Sequence, residues 1–208
     1  MRPPRRICVL VGGGLDSCVL IADLLRRGCQ VWPLYIRSGF LWEKAELYWL
    51  NRLLQALRSP RLKPLTVSLA PAAPLLGKHW SLNGKGTPGA LSAWDSVLLP
   101  GRNITLLSLA SVFCKSHGLG AVAFAILKGN PFPDAQPKFL KSMERAARRA
   151  LGTDLRILAP YRDLDKKTVA GLIPGFPAHL TFSCLKPRGL RHCGRCSKCW
   201  ERQGACAE

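Results

Sequence analysis

Residues 7–11, "ICVLV", form an uninterrupted apolar run that ends at three glycines, 12–14. A run this short, bounded by a turn signal, predicts a strand buried on both faces. The apolar positions of "DSCVLIADLLRRG" (16–28) then recur at helical spacing and stop at Gly28, as a helix closed by glycine does. Residues 29–36, "CQVWPLYI", read as a second strand with Pro33 as its one irregular position. An amphipathic helix over 41–57 and a third strand over 62–70 follow. Strand and helix alternate, which implies a parallel sheet with helices on its faces.

Segment 71–101 breaks the rhythm: it is rich in Pro, Gly and Ser, has no sustained period, and predicts only a short helix near 89–98. Loops of that length in a compact domain are usually functional or disordered. Regular pattern returns with a helix at 104–118, a strand at 119–127, a loop "KGNPFPDAQ", a helix at 137–152 with Pro near its start and Gly at its end, a strand at 155–161 and a short helix at 162–173. The fold class is α/β, a doubly wound, mostly parallel sheet, with a nucleotide-binding domain over 1–160 and a C-terminal helix and cysteine-rich segment over 161–208. Such sheets bind ligands outside the carboxyl ends of their strands. The triple glycine, the 36–40 turn and the 128–136 loop all fall there.

A chain of 208 residues with 48% hydrophobic content has enough apolar surface for a core. Its net charge of +19 suits nucleotides, phosphates or nucleic acid, although a general adaptation to host conditions gives the same balance. No uninterrupted apolar run approaches the roughly 20 residues of a membrane span. "MRPPRRICVLVGGG" has too short an apolar run for a signal peptide, so the cytoplasm is the expected location and no membrane partner is expected. Cysteine usage agrees with that location. Cys8, Cys18, Cys29, Cys114 and Cys206 are scattered, whereas Cys184, Cys193, Cys196 and Cys199 are packed together, a distribution that favours a metal over a disulfide framework.

Glycines between a strand and a helix serve either a tight turn or a nest of backbone N–H groups that binds an anion. "VGGGLDSC" fits neither G-x-G-x-x-G nor the Gly-Lys-Ser/Thr of a Walker loop. Asp16 and Ser17 tilt the balance toward the anion: Ser17 caps the helix or touches phosphate, and Asp16 orients the loop or approaches a metal-bound pyrophosphate. In the tail, C-x8-C-x2-C-x2-C supplies four thiolates at spacings suited to a closed, tetrahedral, structural zinc site, with a redox C-x-x-C as the alternative. Lys186, Arg188, Arg191, His192, Arg195 and Lys198 either offset the charge of that centre or form a rim for phosphate or RNA.

"GGGLDS" (12–17) resembles the Ser-Gly-Gly-x-Asp-Ser loop of the PP-loop ATPases, with Gly12 where that group usually has serine. "TFSCLKPRGLRHCGRCSKCWER", "LPGRNITLLSLA", "NPFPDAQPKFLKSM" and "ILAPYRDLDKKTV" together resemble the 7-cyano-7-deazaguanine synthase (QueC) family, as a divergent member. In the stretch 35–47 the family's usual Tyr-Gly-Gln-Arg-His run is replaced, leaving Tyr35, Arg37 and Glu46 as loose counterparts.

The resemblance implies an ATP-dependent, AMP-forming ligase that turns 7-carboxy-7-deazaguanine and ammonia into a nitrile. It also implies one structural Zn²⁺ per chain on the four tail cysteines, Mg²⁺ with the ATP, and a homodimer. It assigns Gly12, Gly13, Gly14, Leu15, Asp16, Ser17, Arg102 and Asn103 to the nucleotide. Arg37, Asn130, Phe132 and Asp134 fall to the acceptor, and Asp16, Ser17 and Lys128 to catalysis. Plainer roles stand beside two of these: Asn103 as a helix N-cap and Asp134 as a cap for the helix near Pro137; Lys166, at a basic helix start, is either solvated surface or a phosphate contact. Two rival functions stay open, adenylation of another carboxylate or a tRNA base, and a non-enzymatic zinc-bearing nucleic-acid module. The charge balance keeps tRNA as a possible partner.

Overall fold

The computed structural model describes residues 4–206. Five strands form one sheet in the order β3-β2-β1-β4-β5, every neighbouring pair parallel. They are β1 (Arg6–Leu10), β2 (Gln30–Arg37), β3 (Thr66–Leu69), β4 (Ala121–Ala123) and β5 (Arg156–Leu158). β1 is central, and its side chains alternate between the two faces. Ile7 and Val9 join a core with Val19 and Leu20 of α1 (Leu15–Arg26) and Leu50 and Leu53 of α2 (Glu43–Ala56). Cys8 and Leu10 face the other side, with Leu107 of α5 (Arg102–Ser116) and Leu140 of α6 (Pro137–Leu151). Both faces are covered, which is why the strand reads as a continuous apolar run. Each fully buried Ile or Leu contributes roughly 1.5–3 kcal/mol to that core.

The doubly wound parallel sheet expected from the sequence is present, with local differences that have physical causes. Pro33 is accommodated inside β2 because the β2–β3 ladder starts only at Leu34, so the missing N–H interrupts no bond to β3. β3 is shorter than expected: Val31 bridges Leu62, then Pro64 interrupts pairing until Thr66. β4 and β5 are likewise three residues each. In 71–101 there are two single-turn helices, α3 (Ala73–Leu76) and α4 (Trp80–Asn83). Where a helix near 89–98 was expected, a 3₁₀ turn covers Trp94–Val97.

Helix α5 starts at Arg102, not at Ile104, and its N-cap position is Gly101. Asn103 therefore sits in the first turn and is not the cap. By length and composition alone, one described stretch, Trp94–Ser116, is apolar enough to cross a membrane, contrary to the expectation from run length. It is not a single regular helix: Leu98–Gly101 separates the 3₁₀ turn from α5, and Leu107, Ala110 and Cys114 pack into the protein's own core.

The C-terminal segment folds back onto the sheet's carboxyl edge. α7 (Lys166–Gly171) is capped by Asp165, whose carboxylate accepts the Thr168 N–H at 2.7 Å, and its Val169 joins the α1 core. Beyond it, Phe182 N–H donates to the Gly13 carbonyl at 2.8 Å. A final helix, α8 (Ser197–Cys206), starts among the tail cysteines. Cys184, Cys196 and Cys199 form a third small core with Phe40, Trp42, Leu99 and Phe182.

Candidate nucleotide-binding cleft

The glycine loop leaves β1 at the sheet's carboxyl edge. Val11 N–H still donates to Leu34 at 3.0 Å, and the chain then turns through Gly12–Gly14 into α1. Gly13 has φ +71°, and a Cβ there would stand 3.2 Å from both the Cβ and the carbonyl oxygen of Glu46. Backbone conformation and close approach thus both demand glycine. Gly14 occupies the N-cap position of α1, with no side-chain cap, which leaves first-turn amides of that helix available to an anion. Ser17 ties the loop together, accepting from Gly12 N–H at 3.4 Å and donating to the Gly14 carbonyl at 3.2 Å.

Asp16 points to a set of charges brought in by α7 and α8. Its Oδ2 lies 3.8 Å from Lys166 Nζ, which is 3.4 Å from Glu201, and Lys198 Nζ is 2.8 Å from that same Glu201 carboxylate. The other Asp16 oxygen is buried without a hydrogen-bond partner among the described residues. Burial pushes the Asp16 carboxyl above the usual range, with Lys166 and Lys198 pulling against it. Two ammonium groups and an under-satisfied carboxylate beside open helix amides form an arrangement suited to a phosphate and its counter-cation.

The opposite wall comes from β2 and α2. Glu46 is buried, and Tyr35 Oη donates to its Oε2 at 2.7 Å. Burial pushes the Glu46 carboxyl up to about 8. Glu43, also buried, accepts the Gly39 N–H at 3.1 Å and pairs with Arg37 at 3.5 Å. Arg102 lies over the Phe40 ring at 5.9 Å, and Phe40 stacks on Trp42 with centroids 4.8 Å apart.

Between these walls is a cleft of about 750 Å³, within the range of small-molecule sites. Of the residues expected at the site, Gly12, Gly14, Leu15, Asp16, Ser17, Arg102, Asn103, Lys128, Asn130, Phe132 and Asp134 line it. Gly13 packs behind the loop on Glu46, and Arg37 stands off the wall with its pairing to Glu43. Asp134 does not cap the helix at Pro137, whose N-cap position is Gln136. It accepts instead from Asn103 N–H at 3.0 Å and from the Asn103 side-chain amide at 3.1 Å. Asn130 accepts the Phe132 N–H at 3.0 Å, so it shapes its own turn.

Sequence reasoning missed Glu201 and Trp94. Glu201 reaches the glycine loop only because α8 packs on α7, and Trp94 covers Lys198 at 5.6 Å from the long loop. Neither carries a local sequence signal.

The sulfur atoms of Cys184, Cys193, Cys196 and Cys199 all lie within 4.8 Å of one another. Cys184 and Cys196 are 4.0 Å apart, and Cys193 and Cys199 3.9 Å. Zn–S bonds of about 2.3 Å in a tetrahedron require sulfur separations of about 3.8 Å, so the donor set fits Zn²⁺. Backbone N–H groups of Leu185 and Cys193 point at the sulfurs of Cys196 (3.4 Å) and Cys184 (3.2 Å), stabilising thiolate charge.

The sequence matches the family described as "Queuosine biosynthesis protein QueC" over residues 6–208. The chain belongs to the QueC family. Among similar QueC relatives is the 7-cyano-7-deazaguanine synthase of Anaeromyxobacter sp. (strain Fw109-5), 32% identical over 100% of this chain and 94% of that one. The Saccharolobus solfataricus 7-cyano-7-deazaguanine synthase is 30% identical over 98% of this chain, which spans only 46% of the length of that relative. A solved 4-thiouridine synthetase–RNA complex with bound ATP superposes with TM-score 0.53 at 16% identity, over 90% of this chain and 47% of the other. A predicted tRNA methyltransferase subunit from Methanocaldococcus jannaschii gives TM-score 0.53 at 14% identity, over 81% and 74%. These two likenesses extend the QueC fold assignment and concern fold alone.

Proposed function

We propose that the protein uses ATP to activate a carboxylate by adenylation and, with ammonia as nucleophile, converts 7-carboxy-7-deazaguanine to the 7-cyano compound. The observation that carries this is the junction of a glycine loop, an open helix N-terminus and the Asp16–Lys166–Glu201–Lys198 cluster at one end of a cleft. The activity named for the QueC relatives gives the acceptor.

The chemistry follows from charge. A carboxylate oxygen of the acid attacks the α-phosphorus of ATP and pyrophosphate leaves; ammonia then displaces AMP to give an amide. A second adenylation, on the amide oxygen, lets AMP leave with that oxygen as two protons are lost from nitrogen, giving the nitrile. Both oxygens of the acid end on AMP. In this chain the amides of Gly13, Gly14 and the uncapped first turn of α1, with Lys166 and Lys198, stabilise the negative charge on departing pyrophosphate. Asp16 is the group for Mg²⁺, which when bound neutralises charge between phosphates. Phe40, Trp42 and Phe132 supply aromatic surface for a purine-like ring, and Arg102 a cation for its carboxylate. Zn²⁺ on the four cysteines holds the tail, and through α8 the cleft, in place. The reaction belongs in the cytoplasm, with a homodimer as the working form.

Mass spectrometry after incubation with Mg-ATP, ammonium and 7-carboxy-7-deazaguanine tests the proposal. A nitrile dependent on all three components is expected. AMP without nitrile would point to another acceptor, and the net charge of +19 directs that search first to RNA. Neither AMP nor nitrile from zinc-replete protein would overturn the proposal.

A further inference from the structure

Glu46 is a buried carboxyl with no cation within ion-pairing distance among the described residues. Among the described residues its carboxyl has one hydrogen-bond partner, Tyr35, which donates to Oε2. The other oxygen, Oε1, faces the glycine loop, 4.0 Å from where a Gly12 Cβ would stand, and Glu46 forms part of the cleft wall. An isolated buried carboxylate is costly, and such a group takes a proton rather than remain charged. The proton then belongs on Oε1, since Oε2 is already accepting.

We propose that Glu46 enters the cleft as a neutral acid whose O–H, directed past Gly12, donates a hydrogen bond to the phosphate held by the glycine loop. This rests on reading that loop as a phosphate site. Gly12 has no side chain to offer the phosphate and its backbone N–H donates to Ser17 Oγ, so Glu46 supplies a side-chain donor at that place from another element. The neutral acid attracts phosphate, whereas the ionised form repels it across a low-dielectric gap. The cleft therefore accepts phosphate best while Glu46 holds its proton. The groups facing Glu46 are Tyr35 from β2, Glu43 on its own helix, Arg102 from α5 and Cys18 from α1. Tyr35 and Arg102 favour the charged form, Glu43 disfavours it, and burial outweighs them all.

Binding of inorganic pyrophosphate, measured calorimetrically from pH 6.5 to 9.5 for wild type and Glu46→Gln, tests this. Glutamine keeps the donor and cannot ionise, and the ligand's own protonation cancels in the ratio of the two dissociation constants. The ratio should be flat near neutrality and shift about tenfold against wild type by pH 9, as expected for a group titrating near 8. A ratio flat across the whole range overturns the proposal while leaving the phosphate site intact. No pyrophosphate binding by wild type at any pH overturns both. Tyr35→Phe gives a second readout: loss of a bond to the charged form should move the midpoint of wild-type weakening to higher pH, and an unmoved midpoint counts against Glu46.

Discussion

Asp134 caps a helix that is distant in sequence. Its carboxylate accepts the backbone N–H of Asn103 at 3.0 Å and the Asn103 side-chain amide at 3.1 Å. The start of α5, with Arg102, is thereby tied to the loop carrying Phe132, two elements that border the cleft from different strand ends. Both residues were expected to touch ligand, and the structure gives them a bond to each other.

Asp134→Ala should therefore be a stability variant as well as a binding variant. Loss of a capping carboxylate costs about 0.5–2 kcal/mol. In a chain of this size that lowers Tm by roughly 1–8 °C. Asn103→Ala should cost less, because the Asp134 carboxylate can still accept the backbone N–H. The double variant should fall short of the sum, since both changes break the same contact. Thermal unfolding followed by circular dichroism measures all three, and strict additivity would show that the two residues act separately.

The tail cysteines make a second expectation. Protein purified without added metal should contain about one Zn per chain by elemental analysis. Cys196→Ser should melt far below the parent, because structural zinc binding contributes directly to folding free energy. Lys198 and Glu201 lie in the same helix as Cys199, so metal removal should also weaken pyrophosphate binding. A metal-free protein with unchanged melting and anion affinity would separate the tail from both fold and cleft.

How much of this was legible beforehand depends on distance along the chain. The 12–17 loop and the four cysteines were readable because each concentrates its chemistry in a few residues, and the sheet because its strands alternate with amphipathic helices. Segment 71–101 resisted, since its two single-turn helices have no period to detect. The Lys166–Glu201 contact resisted for another reason: it spans 35 residues and depends on how α8 meets α7. Glu46 was visible as a residue in an amphipathic helix. Its burial against Gly13 follows from packing that no local pattern encodes.

The glycine loop predicts opposite outcomes for adjacent substitutions. At Gly12 an added Cβ meets only Glu46 Oε1, at 4.0 Å, and φ is not positive. Gly12→Ser should fold normally, with stability within about 0.5 kcal/mol of the parent, as for a substitution free of strain. At Gly13 the side chain would meet Glu46 at 3.2 Å in a left-handed backbone. Gly13→Ala should lose about 1–3 kcal/mol, and anion binding with it. Urea denaturation of the pair decides the matter, and equal losses would mean the loop does not hold this conformation.

Glu46 also fixes the sign of a pH effect on stability. Burial lifts its carboxyl from 4.5 to about 8 in the folded chain, so the native state keeps a proton that the unfolded state has released. The stability from this group is fully present below about pH 4.5, declines as pH rises, and is lost once pH passes about 8. Glu46→Gln removes the titration and leaves the rest of the charge balance, counted at neutral pH, essentially unchanged. Relative to wild type, the variant should therefore gain on the order of a few kcal/mol between pH 5 and 8, with no further gain above that. Paired urea titrations at pH 5, 6.5, 8 and 9 measure the gap. A gap that stays constant would show that Glu46 is an ordinary ionised carboxylate in the folded protein, with a counter-charge the buried Tyr35 contact does not supply.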